Sequence, residues 1–188
     1  MGDNVILVGF MGAGKSSVGR LLARRMGRCF VETDDMITAR EGRSIPEIFA
    51  DRGEAYFRGL EEEAVRLLAL KSGDVIATGG GLFCREGRPE ALRALGTVVW
   101  LSGDFDVLYE RARRMGERPM LVGRTRDEVA AVYRAREPYY RQADLTVDTT
   151  GRTTDQVVAQ VLLALEPRLS LSPLGRGQGE GRRREGPR

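Results

Sequence analysis

The residues best equipped for chemistry in this 188-residue chain lie near its start, where Gly9-Phe10-Met11-Gly12-Ala13-Gly14-Lys15-Ser16 fits G-x-x-x-x-G-K-[ST]. That spacing binds phosphate. Glycines let the backbone close on anionic oxygens, so the N–H groups of Gly12, Ala13, Gly14, Lys15, Ser16 and Ser17 would cradle nucleotide phosphates. Lys15 adds a mobile positive charge on the terminal phosphates, and the Ser16 hydroxyl a ligand for Mg²⁺. Of the 30 basic residues only Lys15 and Lys71 are lysines, and one of the two stands where the motif needs it. Chance would produce the pattern in roughly three of a thousand chains of this composition, so a fortuitous glycine-rich turn is the weaker reading.

Acids follow at once: Glu32, Asp34 and Asp35 close the next apolar run. Thr33 or Asp34 could cap a helix starting there. Alternatively Asp34 could take the proton or hydrogen bond of an acceptor hydroxyl, with Glu32 holding Mg²⁺ through a water. Arg58 borders the apolar stripe Phe57, Leu60, Ala64, Leu67 and Leu68. Spacing fits both an intrahelical pair with Glu61 or Glu62 and a bidentate clamp on a substrate carboxylate. Gly79-Gly80-Gly81 ends another apolar run, a place where bare backbone makes sense if a ligand lies against it. Gly116 to Arg124 is bracketed by glycines and broken by Pro119, the pattern of a mobile lid. Phosphoryl transfer is mostly positioning and charge neutralisation, so a lid arginine fits the need, Arg118 ahead of Arg124.

The elements that must position these groups alternate. Strands are expected at Asn4–Val8, Cys29–Glu32, Val75–Ala77, Thr97–Leu101 and Leu145–Asp148. Helices follow the glycine loop and lie at Ser44–Ala50 (opened by the capping box Ser44-Ile45-Pro46-Glu47), from Gly53, at Pro89–Leu95, at Phe105–Met115, at Asp127–Arg136 and up to about Glu166. Asp104 reads as a cap, and Pro138 should bend or end the helix before it. Alternation of this kind means an α/β fold with a parallel sheet covered on both faces. The length fits one domain, residues 1–166.

Composition excludes other classes. No run of 18 apolar residues exists to cross a membrane, and the N-terminal apolar patch reads as a strand, not a signal peptide. His is absent, which removes Ser-His and Cys-His catalysis. Cys29 and Cys84 have no metal or redox spacing and suggest reduced thiols in a cytoplasmic protein. The net charge of +3 is uneven: residues 167–188 hold six Arg against two Glu, leaving −1 for the rest. That tail lacks the apolar content to fold and reads as a disordered extension. The folded part shows no basic excess, so no nucleic-acid partner is expected.

Several motifs together resemble shikimate kinases. Besides the P-loop, Glu32-Thr33-Asp34 stands where that family has Asp-x-Asp, Gly53 to Glu61 is similar to its G-E-x-x-F-R-x-x-E, and Thr78 to Gly81 to its glycine triplet. Arg118-Pro119-Met120-Leu121 and Arg136 to Tyr140 are similar to its lid R-P-L and its R-x-P-x-Y. The resemblance implies a nucleoside-monophosphate-kinase-type fold with five parallel strands in order 2-3-1-4-5, substrate-binding helices at about 34–60 and a lid at about 112–125. It implies transfer of the γ-phosphoryl of MgATP to the 3-hydroxyl of shikimate, in aromatic amino-acid biosynthesis, by a cytoplasmic monomer. Arg58 and Arg136 would hold the shikimate carboxylate, and Asp34 its hydroxyls, as candidate base. Gly79, Gly80 and Gly81 would line the ring. Lys15 and Arg118 would act on the phosphates, with Arg111 and Arg152 flanking the adenine. Glu32 for Asp is the departure from the pattern. The rival readings are a kinase of similar build for gluconate or a nucleoside monophosphate, and a nucleotide-binding or ligand-sensing module that no longer catalyses.

Overall fold

Five strands form one all-parallel sheet: β1 (Asn4–Val8), β2 (Phe30–Glu32), β3 (Val75–Ala77), β4 (Gly96–Ser102) and β5 (Leu145–Asp148), in the order β2-β3-β1-β4-β5. The computed structural model describes residues 3–114 and 121–169. β1 is buried along its whole length, as a central strand covered on both faces must be. Its register sets Val5 opposite both Val75 and Thr97. Buried Asn4 ties the lower ends of three strands together. Its amide donates to Lys71 O and Leu95 O, and its Oδ1 accepts from Asp74 N.

The helices are α1 (Lys15–Met26), α2 (Thr33–Glu41), α3 (Ile45–Leu68), α4 (Arg88–Leu95), α5 (Phe105–Arg114), α6 (Arg126–Tyr140) and α7 (Thr154–Leu169). The first crossover, β1 to β2, runs across the sheet opposite to the later ones. Right-handed connections therefore put α1 on one face and the later crossover helices on the other. α7 returns to pack beside α1 and against β5. The reversal falls at β1, and the loop leaving it opens into the crevice where such sheets bind ligands.

Most expected elements stand where the pattern put them, with several differences. β2 begins at Phe30, and β4 is one residue longer at each end. The two helices expected around Gly53 form one element, α3. Its non-helical break is Gly53 itself, at φ 73, a backbone conformation that costs glycine little. Leu67 is exposed, and Val65 and Glu61 are buried in its stead, because the stripe turns further round the helix than the leucines suggest. Pro138 does not end α6, which continues to Tyr140. α7 reaches Leu169, beyond the boundary expected at 166; residues 170–188 of the tail lie outside the described residues.

The capping box on Ser44 is present, and a second one, Thr125 with Glu128, opens α6. Asp104 Oδ1 accepts from Asp106 N at 2.9 Å and starts α5. Beside the main core, α2 and α3 share a separate small core of Ile37, Ile48, Phe57, Leu60 and Ala64, with Met36, Ile45 and Phe49 at its edge. Among the described residues no helix is long and apolar enough to cross a membrane.

Candidate active site

The glycine loop runs from β1 into α1, as the motif requires. Gly12 has φ 78, and a Cβ there would lie 2.1 Å from Leu108 O, so no side chain fits. This close approach seats the loop on α5. Lys15 Nζ donates to Gly9 O at 2.8 Å and Phe10 O at 3.1 Å, curling over the loop's own carbonyls. Gly12, Gly14, Lys15, Ser16 and Ser17 line a narrow cleft of about 70 Å³ with Met11, Glu32, Asp34, Thr78, Gly79 and Gly80. Ala13 is buried behind it.

Glu32 reaches the loop directly. Ser16 Oγ donates to Glu32 Oε1 at 2.5 Å, while Arg20 Nη2 lies 3.4 Å from Glu32 Oε2. A hydroxyl and a carboxylate are hard oxygen donors, the kind Mg²⁺ takes in small number while keeping water and phosphate for the rest. The donor set fits that ion, and the longer Glu does not prevent it. The capping alternative for Thr33 and Asp34 does not hold: Glu32 is the N-cap of α2 and no side chain caps it. Thr33 is buried instead, its Oγ1 accepting from Gly79 N at 2.9 Å.

A second cavity of about 610 Å³ adjoins the first. Asp34, Arg58, Arg136, Gly79, Gly80 and Gly81 line it, with Met11, Ile45, Phe49, Phe57 and Val132 as an apolar wall and Glu54, Glu61 and Arg124 among the polar lining. The glycine triplet explains how these side chains meet. A Cβ on Gly79 would lie 2.6 Å from Asp34 Oδ1; one on Gly81 would lie 3.3 Å from Arg136 Nη2 and 3.4 Å from Arg58 Nη1. Asp34, Met11, Gly79 and Gly80 line both cavities, so the carboxylate stands where they join.

Arg58 makes the intrahelical pair and also faces the cavity. It pairs within α3, Nη2 to Glu54 Oε1 at 2.6 Å and Nη1 to buried Glu61 Oε2 at 2.8 Å, and it still lines the cavity. Burial opposes its charge, but the hydrogen bonds to Glu61 and Glu54 outweigh that and raise the guanidinium pKa above its ordinary value. Arg136 comes from α6, with Nη1 donating to Gly80 O at 3.1 Å. Arg111 and Arg152 both hydrogen-bond the chain where β5 ends. Arg111 donates to Thr149 Oγ1 and O at 3.2 and 2.9 Å, and Arg152 Nη1 to Asp148 O at 2.5 Å. Arg111 leaves the same turn of α5 that backs Gly12, beside the phosphate cleft. Arg118 lies outside the described residues. Of the expected lid, residues 112–114 are the end of α5, and 121–125 are a loop leading into α6.

Sequence reasoning offered Thr33 only as a helix cap, gave Tyr140 no role and treated Glu61 only as an intrahelical partner of Arg58. Glu61 and Tyr140 were nonetheless the last letters of two motifs, the one signal pointing to them.

Known proteins share this sequence pattern and fold. The family model "Shikimate kinase" matches residues 11–166. The chain belongs to the shikimate kinase family. It is accordingly an ATP-dependent kinase, a phosphotransferase with an alcohol group as acceptor. The shikimate kinase of Moorella thermoacetica is 43% identical over 166 residues, 88% of this chain and 96% of that protein. The structure of shikimate kinase from Acinetobacter baumannii in complex with shikimate superposes with a TM-score of 0.82 at 34% identity, covering 89% of this chain and 95% of that one. A gluconokinase from Sinorhizobium meliloti, at 18% identity, TM-score 0.54 and coverage of 89% and 94%, shares the fold alone.

Proposed function

We propose that the chain transfers the γ-phosphoryl group of MgATP to the 3-hydroxyl of shikimate, giving shikimate 3-phosphate and ADP. The observation that carries this is the position of Asp34 at the junction of a phosphate cleft and a cavity flanked by two arginines. An acceptor hydroxyl must meet the phosphoryl group at such a junction. In this reading Arg58 and Arg136 take the shikimate carboxylate, and Asp34 orients the attacking hydroxyl and accepts its proton. Gly79, Gly80 and Gly81 let the ring lie against backbone.

On the nucleotide side, the amides of Gly12 to Ser17 cradle the phosphates. Lys15 turns from the Gly9 and Phe10 carbonyls to the β- and γ-oxygens, and Arg118 closes over them from the lid. Arg111 and Arg152 flank the adenine. Mg²⁺, held by Ser16 Oγ and through water by Glu32, neutralises phosphate charge when bound. Cys29 and Cys84 are free thiols, which supports work in the reducing cytoplasm, where the chain is read as acting as a monomer.

Gluconate also carries a carboxylate for the paired arginines, so it is the family match, not the clamp, that favours shikimate over it. Coupled ADP release with shikimate, gluconate and nucleoside monophosphates decides the matter. Turnover is expected with shikimate; turnover with gluconate alone overturns the proposal, and ATP and shikimate binding without ADP formation favours a sensing module.

A further inference from the structure

The glycine triplet is pinned at two points. Thr33 holds its start through the Gly79 N–H. Further along, the Gly80 carbonyl accepts two hydrogen bonds, from Tyr140 Oη at 2.7 Å and from Arg136 Nη1 at 3.1 Å. Tyr140 is 1% exposed and its ring stacks with Phe83 and Trp100, at centroid distances of 6.5 and 5.8 Å. Burial pushes its phenol well above the usual range, so the hydroxyl keeps its proton and remains a donor.

These two donors are unlike. Tyr140 is wedged among rings and cannot follow a ligand. Arg136 lines the cavity, and clasping a carboxylate would draw its fork, Nη1 included, toward the ligand and away from Gly80. A carbonyl that loses its donor once the acceptor covers it carries a desolvation penalty, and that penalty would be charged against acceptor binding.

We propose that Tyr140 is a positioning residue for the acceptor site: its hydroxyl keeps the Gly80 carbonyl partnered, and the triplet in place, when Arg136 turns to the acceptor carboxylate. The inference rests on the reading that Arg136 holds that carboxylate. It explains why one carbonyl has two donors, only one of them mobile.

Tyr140→Phe keeps the ring and its stack and removes only the hydroxyl. The full-length protein and the variant are compared by calorimetric titration with shikimate, by steady-state kinetics with MgATP and by thermal melting. The expected result is a shikimate Kd and KM raised about five- to tenfold, the worth of one hydrogen bond, with the ATP KM within about twofold. The thermal midpoint should move little, because Arg136 still serves Gly80 in the unliganded enzyme. Wild-type shikimate affinity in the variant overturns the proposal whatever the melting point, and so does an equal weakening toward both substrates. Absence of shikimate binding by the wild-type protein brings down the acceptor assignment itself and this proposal with it, a failure seen in the wild-type arm alone.

Discussion

Adding one methyl group at Gly79 tests the placement of Asp34. A Cβ there would stand 2.6 Å from Asp34 Oδ1, whereas ordinary van der Waals contact begins near 3.4 Å. The carboxylate must therefore withdraw by about 0.8 Å, and a misplacement of about 1 Å near the reacting atoms costs on the order of 10²-fold in rate. That corresponds to about 2.7 kcal/mol of barrier. Gly79 is not among the positive-φ glycines, so alanine is conformationally admissible and the loss should fall on chemistry and not on folding. The assay is coupled ADP release at saturating MgATP and shikimate, run for Gly79→Ala, Asp34→Asn and the double variant, with melting curves as a folding control. If the methyl acts by displacing the carboxylate, its 10²-fold effect shrinks to a few-fold once the carboxylate is gone. An undiminished kcat in Gly79→Ala refutes the reasoning. So does the same 10²-fold drop in both backgrounds, which would mean that the methyl harms something other than Asp34.

Other perturbations separate the two halves of the site. Arg58→Ala should raise the shikimate KM roughly 10- to 100-fold, as expected for a charge-assisted pair, with the ATP KM nearly unchanged; a normal shikimate KM counts against the clamp. The fold should survive, since Glu61 keeps Arg85 at 3.3 Å. Glu32→Ala should raise the Mg²⁺ concentration for half-maximal ATP binding, read by calorimetry, by about tenfold, and an unchanged requirement would remove Glu32 from the metal shell. Gly59 lies exposed within α3 with open space around its Cβ position, so Gly59→Ala should stabilise by about 0.5–1 kcal/mol and raise the thermal midpoint by a few degrees. A lowered midpoint would show that the helix is strained there.

The sheet was legible because its strands are short apolar runs ended by glycines or acids; β1, β3 and β5 begin and end where those runs do. The phosphate loop was legible for a similar reason, its function being written in consecutive residues. Local spacing could not show that Arg136 on α6 meets Arg58 on α3 over Gly81, since that meeting depends on the sheet order. It also hid Tyr140, whose partner lies 60 residues away, and Thr33, whose partner lies 46 away. Pro138 misled because a proline forfeits only one helical hydrogen bond, a loss that the buried Tyr140 two residues later can outweigh. Glu61 looked like a surface partner because nothing in a helical stripe reveals that Arg85 arrives from another segment to cover it.

The cluster of Ile37, Ile48, Phe57, Leu60 and Ala64 is a second core, joined to the packing under β1 through Met36. Substitutions in that cluster would re-aim the helices that carry Asp34 and Arg58, which the proposed function sets on the acceptor, with little change to the layer beneath the phosphate loop.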